Sequence, residues 1–206
     1  MAGKLSKIIR ACVILISCCG IFITHSFAAV GCTLNDPERD IKKIFPESTG
    51  YRTDFITIEE RGKEALKEKV EQKLKSKLDP LYEALDVPYA YYTVLKGKEI
   101  VGRVHGVNQK GTYGGMQIIL ATDPKGKVIA FYYQKISSPE AKKFRDKAFT
   151  GQFIGMTVED SYKDEDGGRI SGIEDPSENS EEDFTATVRG VKKNLILLEE
   201  FFELKQ

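Results

Sequence analysis

The chain has 206 residues, with 31 Lys+Arg against 31 Asp+Glu, 41% hydrophobic and 10% aromatic residues. That length suits one domain with a small appendage, and the apolar fraction supports a real core, which excludes wholesale disorder. A zero net charge removes any global electrostatic case for nucleic acid as a partner, and two His with four Cys leave little from which to build a metal centre.

The N-terminus reads as a targeting segment. Lys4, Lys7 and Arg10 form a basic start without acids, Ala11–Ile23 is almost wholly apolar, and Ser26 and Ala28 are small residues at the −3 and −1 positions of a cleavage before Ala29. Two alternatives stay open. Ala11–Gly31 is just long enough for an uncleaved anchor, and Val30-Gly31 before Cys32 allows a lipoprotein signal. Residues 1–28 thus read as signal peptide or membrane anchor, and in all three cases the basic end stays cytoplasmic and the rest is exported, to the periplasm or the outer face of the cytoplasmic membrane. Without the leader the net charge is −3, and Cys32 is the one thiol left, so no internal disulfide is available.

In chain order, Asn35-Asp36-Pro37 predicts a helix to about Phe45, and Tyr51–Ile58 a strand. Lys63–Leu85 predicts one amphipathic helix, with Leu66, Val70, Leu74, Leu78, Leu81 and Leu85 three or four apart. Residues 29–88 thus read as a largely helical N-terminal extension. Strands follow at Tyr89–Leu95, Glu99–Val107, Gly114–Thr122 and Lys127–Gln134, with turn residues at Lys96-Gly97-Lys98 and Asp123-Pro124-Lys125-Gly126. Pro139–Lys147 reads as a short helix and Ala148–Gly155 as a glycine-punctuated apolar loop. Glu159–Asp183, with eleven acids and two bases, reads as a long loop or a disordered insertion, with Tyr162–Glu178 expected to be mobile and dispensable for folding. Thr185–Leu204 predicts a final amphipathic helix. The expected fold is α+β: an antiparallel meander with packed helices.

Simple catalytic signatures are missing. His105 stands alone in a strand, Asp164-x-Asp166-Gly167 fails as a calcium loop, and there is no nucleophile elbow, HExxH or Walker A sequence. One combination is informative. Gly111-Thr112-Tyr113-Gly114-Gly115-Met116-Gln117-Ile118-Ile119-Leu120, the hairpin at Asp123–Ile129, the loop Ser137-Ser138-Pro139-Glu140, and Gln152-Phe153-Ile154-Gly155 occur in that order. Phe184-Thr185-Ala186-Thr187-Val188 then opens the last helix.

This order resembles the FMN-binding domain family, which includes the G subunit of the Rnf electron-transport complex and the C subunit of the sodium-translocating NADH:quinone reductase. The resemblance covers about residues 90–204. It implies an electron carrier with FMN joined through a phosphodiester to Thr187, with Thr185 as the near alternative and Ala186 between them. Tyr113, Ser138, Pro139 and Glu140 would border the isoalloxazine. It also implies a flavin transferase for maturation and membrane redox subunits or other electron carriers as partners. The family's Ser/Thr-Gly-Ala-Thr signature lacks its Gly here, because Thr185 directly precedes Ala186. That departure motivates a rival expectation, a structural or docking subunit of the same fold without flavin. A helix start suits a phosphate in any case, since its N–H groups are unpaired and its dipole is positive there.

Overall fold

Five strands run as one antiparallel meander in chain order: β1 Gly50–Ile56, β2 Tyr89–Lys96, β3 Glu99–Gly111, β4 Gly114–Thr122 and β5 Val128–Lys135. The computed structural model describes residues 31–80, 82–165 and 169–204. Each predicted strand is present to within two residues at most boundaries, and β3 runs four residues further than expected, to Gly111. Its extra length follows from its register, since Asn108 to Gly111 pair with Gln117 to Gly114 across a tight turn at Thr112-Tyr113.

The sheet is covered on both faces. On one side lies the C-terminal helix α6, Glu181–Phe202, whose Phe184, Val188, Val191, Leu195 and Leu198 meet Tyr91, Val107, Ile118, Leu120 and Tyr133. The approach is close at Gly190, where a Cβ would stand 2.4 Å from the Ile118 side chain and 3.3 Å from Gln109. On the other side Cys32, Leu34 and the helix α1, Pro37–Ile44, bury Ile41 and Phe45 against Ala90, Tyr92, Val94, Val104, Ile119 and Ala121. Asp36 caps α1 by accepting from the Arg39 N–H at 3.1 Å, and Pro37 fills its first position. Residues 31–88 are therefore integral to the fold: β1 is a strand of the sheet and α1 covers a face of it.

Three expectations are corrected. The predicted helix over 63–85 is shorter. After α2 (Ile58–Arg61), α3 spans Lys63–Leu74 and stops at Lys75, which adopts a left-handed conformation at φ 56°. Glu71 stops the helix by accepting from the Leu78 N–H (3.1 Å) and Lys77 Nζ (2.5 Å), and the following residues are drawn to α6. The apolar loop at 148–155 forms α5, Lys147–Thr150, after α4, Ala141–Phe144, and a 3₁₀ turn at Gly151–Phe153; Phe149 and Phe153 are buried.

The acidic stretch packs. It holds a 3₁₀ turn at Asp160–Tyr162 and the short hairpin β6 (Asp164–Glu165) with β7 (Arg169–Ile170), and Ile170 is 2% exposed in the core beside Tyr162 and Ile173. A few apolar anchors among many acids satisfy the core, while Glu159, Glu174, Glu178, Glu181 and Glu182 stay exposed. The leader and anchor expectations fall on residues 1–30, outside the described residues. Among the described residues no helix is long and apolar enough to cross a membrane.

Candidate functional site

The candidate site lies where the β3–β4 turn meets the start of α6. Ser180 is the N-cap residue, yet its side chain makes no capping bond to the helix. Its hydroxyl is engaged by Glu140 instead. The Glu140 carboxylate also accepts from the N–H groups of Glu178 (3.1 Å) and Asn179 (2.8 Å) and binds Lys143 at 2.7 Å. The Lys143 hydrogen bond, followed by those backbone donors, holds its pKa down to about 2. Glu140 thus ties the Ser138–Glu140 loop to the residues leading into α6, and the first-turn N–H groups of a 22-residue helix are left without a side-chain cap.

These groups open on a cleft of about 410 Å³ lined by Thr112, Tyr113, Glu178, Asn179, Ser180, Glu181 and Glu182. Tyr113 is 56% exposed at the tip of the turn. Asp183 fixes the turn to the helix: its buried Oδ1 accepts from the Thr112 N–H at 2.8 Å, and Thr112 Oγ1 donates to Glu182 at 3.0 Å. Ser137 stands 3.4 Å from where a Gly114 Cβ would be, so the loop before Ser138 and Pro139 adjoins the same turn. The structure therefore brings Tyr113, the Ser138–Glu140 loop and the start of α6 together.

The two threonines part company. The helix begins at Glu181, four residues before the predicted start, so Thr187 does not open it. Thr187 is fully buried; its hydroxyl accepts from Tyr133 Oη at 2.8 Å and donates to the Asp183 carbonyl at 2.8 Å. A phosphodiester on that oxygen would have to displace both partners and open the core. Thr185 is half-buried, Ala186 is half-buried against the core edge, and positions 181, 182 and 185 share one side of the helix by its periodicity. The signal for this difference is present in the sequence, since Thr187 continues the Val188/Val191/Leu195 stripe four residues after Asp183.

The groups present suit FMN in part. Uncapped helical N–H groups and an exposed tyrosine ring beside a cleft match a phosphate and a flat aromatic. The side chains are less accommodating: Glu178, Glu181 and Glu182 rim the cleft, while Lys143 binds Glu140 and Glu178 and Arg169 binds Glu181.

Sequence reasoning missed the buried charge cluster on the middle of α6. Glu83, from the unwound residues after α3, binds both Arg189 (2.8 Å) and the fully buried Lys193. Arg189 also reaches Gln109 (2.8 Å), Ser76 (3.1 Å) and the Lys77 carbonyl (2.9 Å). Burial would raise the Glu83 pKa, but Arg189 and Lys193 overcome it and hold it down to about 2. Burial lowers Lys193 to about 8, with Glu83 opposing. Among the described residues no group of three or more His, Cys, Asp or Glu could hold a metal ion.

No protein-family model and no curated protein matches the chain. Among solved structures, NqrC from Shewanella oneidensis shares the fold, with a TM-score of 0.53 over 84% of this chain and 89% of NqrC at 11% identity.

Proposed function

We propose that the chain is an exported electron-relay flavoprotein that holds FMN in the cleft between the β3–β4 turn and the start of α6. The observation that carries this reading is the uncapped first turn of a 22-residue helix opening onto a cleft of about 410 Å³ beside Tyr113. The fold shared with NqrC and the order of motifs from Gly111 to Val188 support it. When bound, FMN supplies the redox chemistry; the protein's part is to bind, orient and tune it. The main-chain N–H groups at Glu181 and Glu182 would receive the phosphate, Tyr113 would border the ring system, and Glu140 keeps the Ser138–Glu140 loop on the helix start. Half-buried Thr185, rather than buried Thr187, is our candidate for a phosphodiester that a flavin transferase would make from FAD. Electron partners are membrane redox subunits at the outer face of the cytoplasmic membrane, or other carriers in the periplasm.

The carboxylates of Glu178, Glu181 and Glu182 favour a second reading, a docking subunit of the same fold that carries no flavin. Co-expression with a flavin transferase separates the two. The first reading expects a fluorescent band in a denaturing gel and a mass gain of one FMN less a water. Thr185→Ala should abolish both, while Thr187→Ala should keep the fluorescence and lower the melting temperature. A colourless protein without fluorescence, from a host whose transferase labels a control, would establish the second reading.

A further inference from the structure

On the helix-facing side of the sheet, far from the cleft, the register makes Thr93, Arg103 and Thr122 direct neighbours on β2, β3 and β4. All three are buried, at 1%, 8% and 0% exposed. The hydroxyls of Thr93 and Thr122 and the Nε and Nη1 atoms of Arg103 are closed to solvent and reach no partner among the described residues. Neighbouring Asp54 is bound to Arg52 at 3.0 Å. Arg103 instead lies under the Phe202 ring, 4.4 Å from its centroid. Burial lowers the Arg103 pKa and the charge of Arg52 adds to that, with Asp54 opposing. A buried guanidinium with two idle nitrogens and no hydrogen-bonded carboxylate among the described residues is costly, and neither a ring face nor two hydroxyls replaces those bonds. The outer side of Phe202 lines a cleft of about 620 Å³ with Arg52, Asp54, Ile56 and Arg61.

We propose that this rung is a slot for a small oxyanion or carboxylate, gripped by Arg103 between the Thr93 and Thr122 hydroxyls, with Phe202 as the door to the outer cleft. The donor inventory selects the ligand class. A guanidinium only donates, two hydroxyls can donate alongside it, and an acceptor-only anion satisfies all of them at once. The adjacent rung sets the limit of the slot. His105, paired with Tyr91, is neutral and gives its Nδ1–H to Asn194 Oδ1 at 2.6 Å, so its buried Nε2 presents a lone pair that repels an anion. Eight residues of β3 separate Arg103 from Gly111, about 26 Å of extended chain, so the slot is distinct from the flavin cleft and independent of that reading.

Thermal melting of the full chain tests it, with sodium acetate and inorganic phosphate as probes and sodium chloride at matched ionic strength as the reference. The expected result is a saturable rise, about 4 °C at ten times the half-saturating concentration. Response to acetate but not phosphate defines a carboxylate slot, and the reverse a phosphate-type one. Arg103→Met should remove the rise without lowering the melting temperature in chloride, because it deletes a buried charge whose donors are unsatisfied. Phe202→Ala should keep it. Should Arg103→Met fail to fold, the Thr93→Val/Thr122→Val double variant should raise the half-saturating concentration about tenfold, the order expected on losing two neutral hydrogen bonds. No rise beyond chloride in either the unmutated chain or Phe202→Ala overturns the proposal. So does an undiminished rise in Arg103→Met, or an unchanged half-saturating concentration in the double variant.

Discussion

The face of the sheet beneath Cys32, α1 and Phe45 is lined by Ala90, Tyr92, Val94, Val104, Ile119 and Ala121, while the interface with α6 holds His105 and Gln109 from the sheet and Thr187, Lys193 and Asn194 from the helix among its apolar residues. The first is held mainly by apolar contact, with Leu34 N–H donating to Tyr92 Oη at 3.1 Å as its buried hydrogen bond. Its thiol, Cys32, is 2% exposed and pushed up to about 12 by burial, and a Cβ on Gly106 would stand 2.8 Å from its sulfur. A lipid on that sulfur would have to leave this position. The second face is specified by directional bonds: Tyr133 to Thr187, His105 to Asn194, and Glu83 to Arg189 and Lys193. An apolar cover tolerates local repacking, whereas a buried polar network fails when one member is left unpaired.

The largest expected effect breaks the polar face. Glu83→Ala strands Lys193 and Arg189 without their carboxylate and should cost about 4 kcal/mol, read by urea unfolding. Restoring stability by adding Lys193→Met would confirm that the loss is the unpaired charge. Acid probes the same face next. His105 is fully buried, which lowers its pKa from 6.5 to about 4, with Asn194 opposing. The sign follows from proton uptake: between pH 6.5 and 4 the unfolded chain binds a proton that the folded chain refuses. Stability is therefore full above pH 6.5 and falls by about 3 kcal/mol as pH drops to 4. His105→Gln should flatten that limb relative to the unmutated protein.

The apolar face should respond more gently. Ile41→Ala should cost about 2 kcal/mol, at the lower end for a buried Ile, because α1 can settle on the sheet. A loss as large as that of Glu83→Ala would mean that the cover is as tightly specified as the network. Thr187→Val is the finest test, keeping the shape and removing the hydroxyl between Tyr133 and Asp183; it should cost about 1 kcal/mol in a melting experiment.

Local pattern was enough for the hairpins. Alternation of apolar residues with Lys-Gly-Lys and Asp-Pro-Lys-Gly turns places β2 to β5 because strand and turn preferences are properties of a few adjacent residues. The tyrosine turn and the Ser-Pro-Glu loop were marked by the motif order of the family resemblance; in the fold Tyr113 lines the cleft at the start of α6 and Glu140 accepts from Glu178 and Asn179 ahead of it. The helix over 63–85 was not, since the Leu spacing continues through Leu85 while the chain turns away after Leu74. What ends it is Glu71 capping downstream N–H groups and Arg189 and Lys193 competing for Glu83, contacts that span 106 and 110 residues.

The sequence by itself determined the α+β class, the meander and the amphipathic last helix, because hydrophobic periodicity and turn chemistry act over one or two turns of chain. Tertiary structure decided that the last helix begins at Glu181, four residues before its predicted start, so that Thr187 does not open it. It also decided that an acid-rich stretch would be anchored by Ile170, and that Arg103 would lie beneath Phe202 while Asp54 binds Arg52. Those outcomes depend on helix phase, strand register and long-range charge pairing, which are fixed only when distant segments meet.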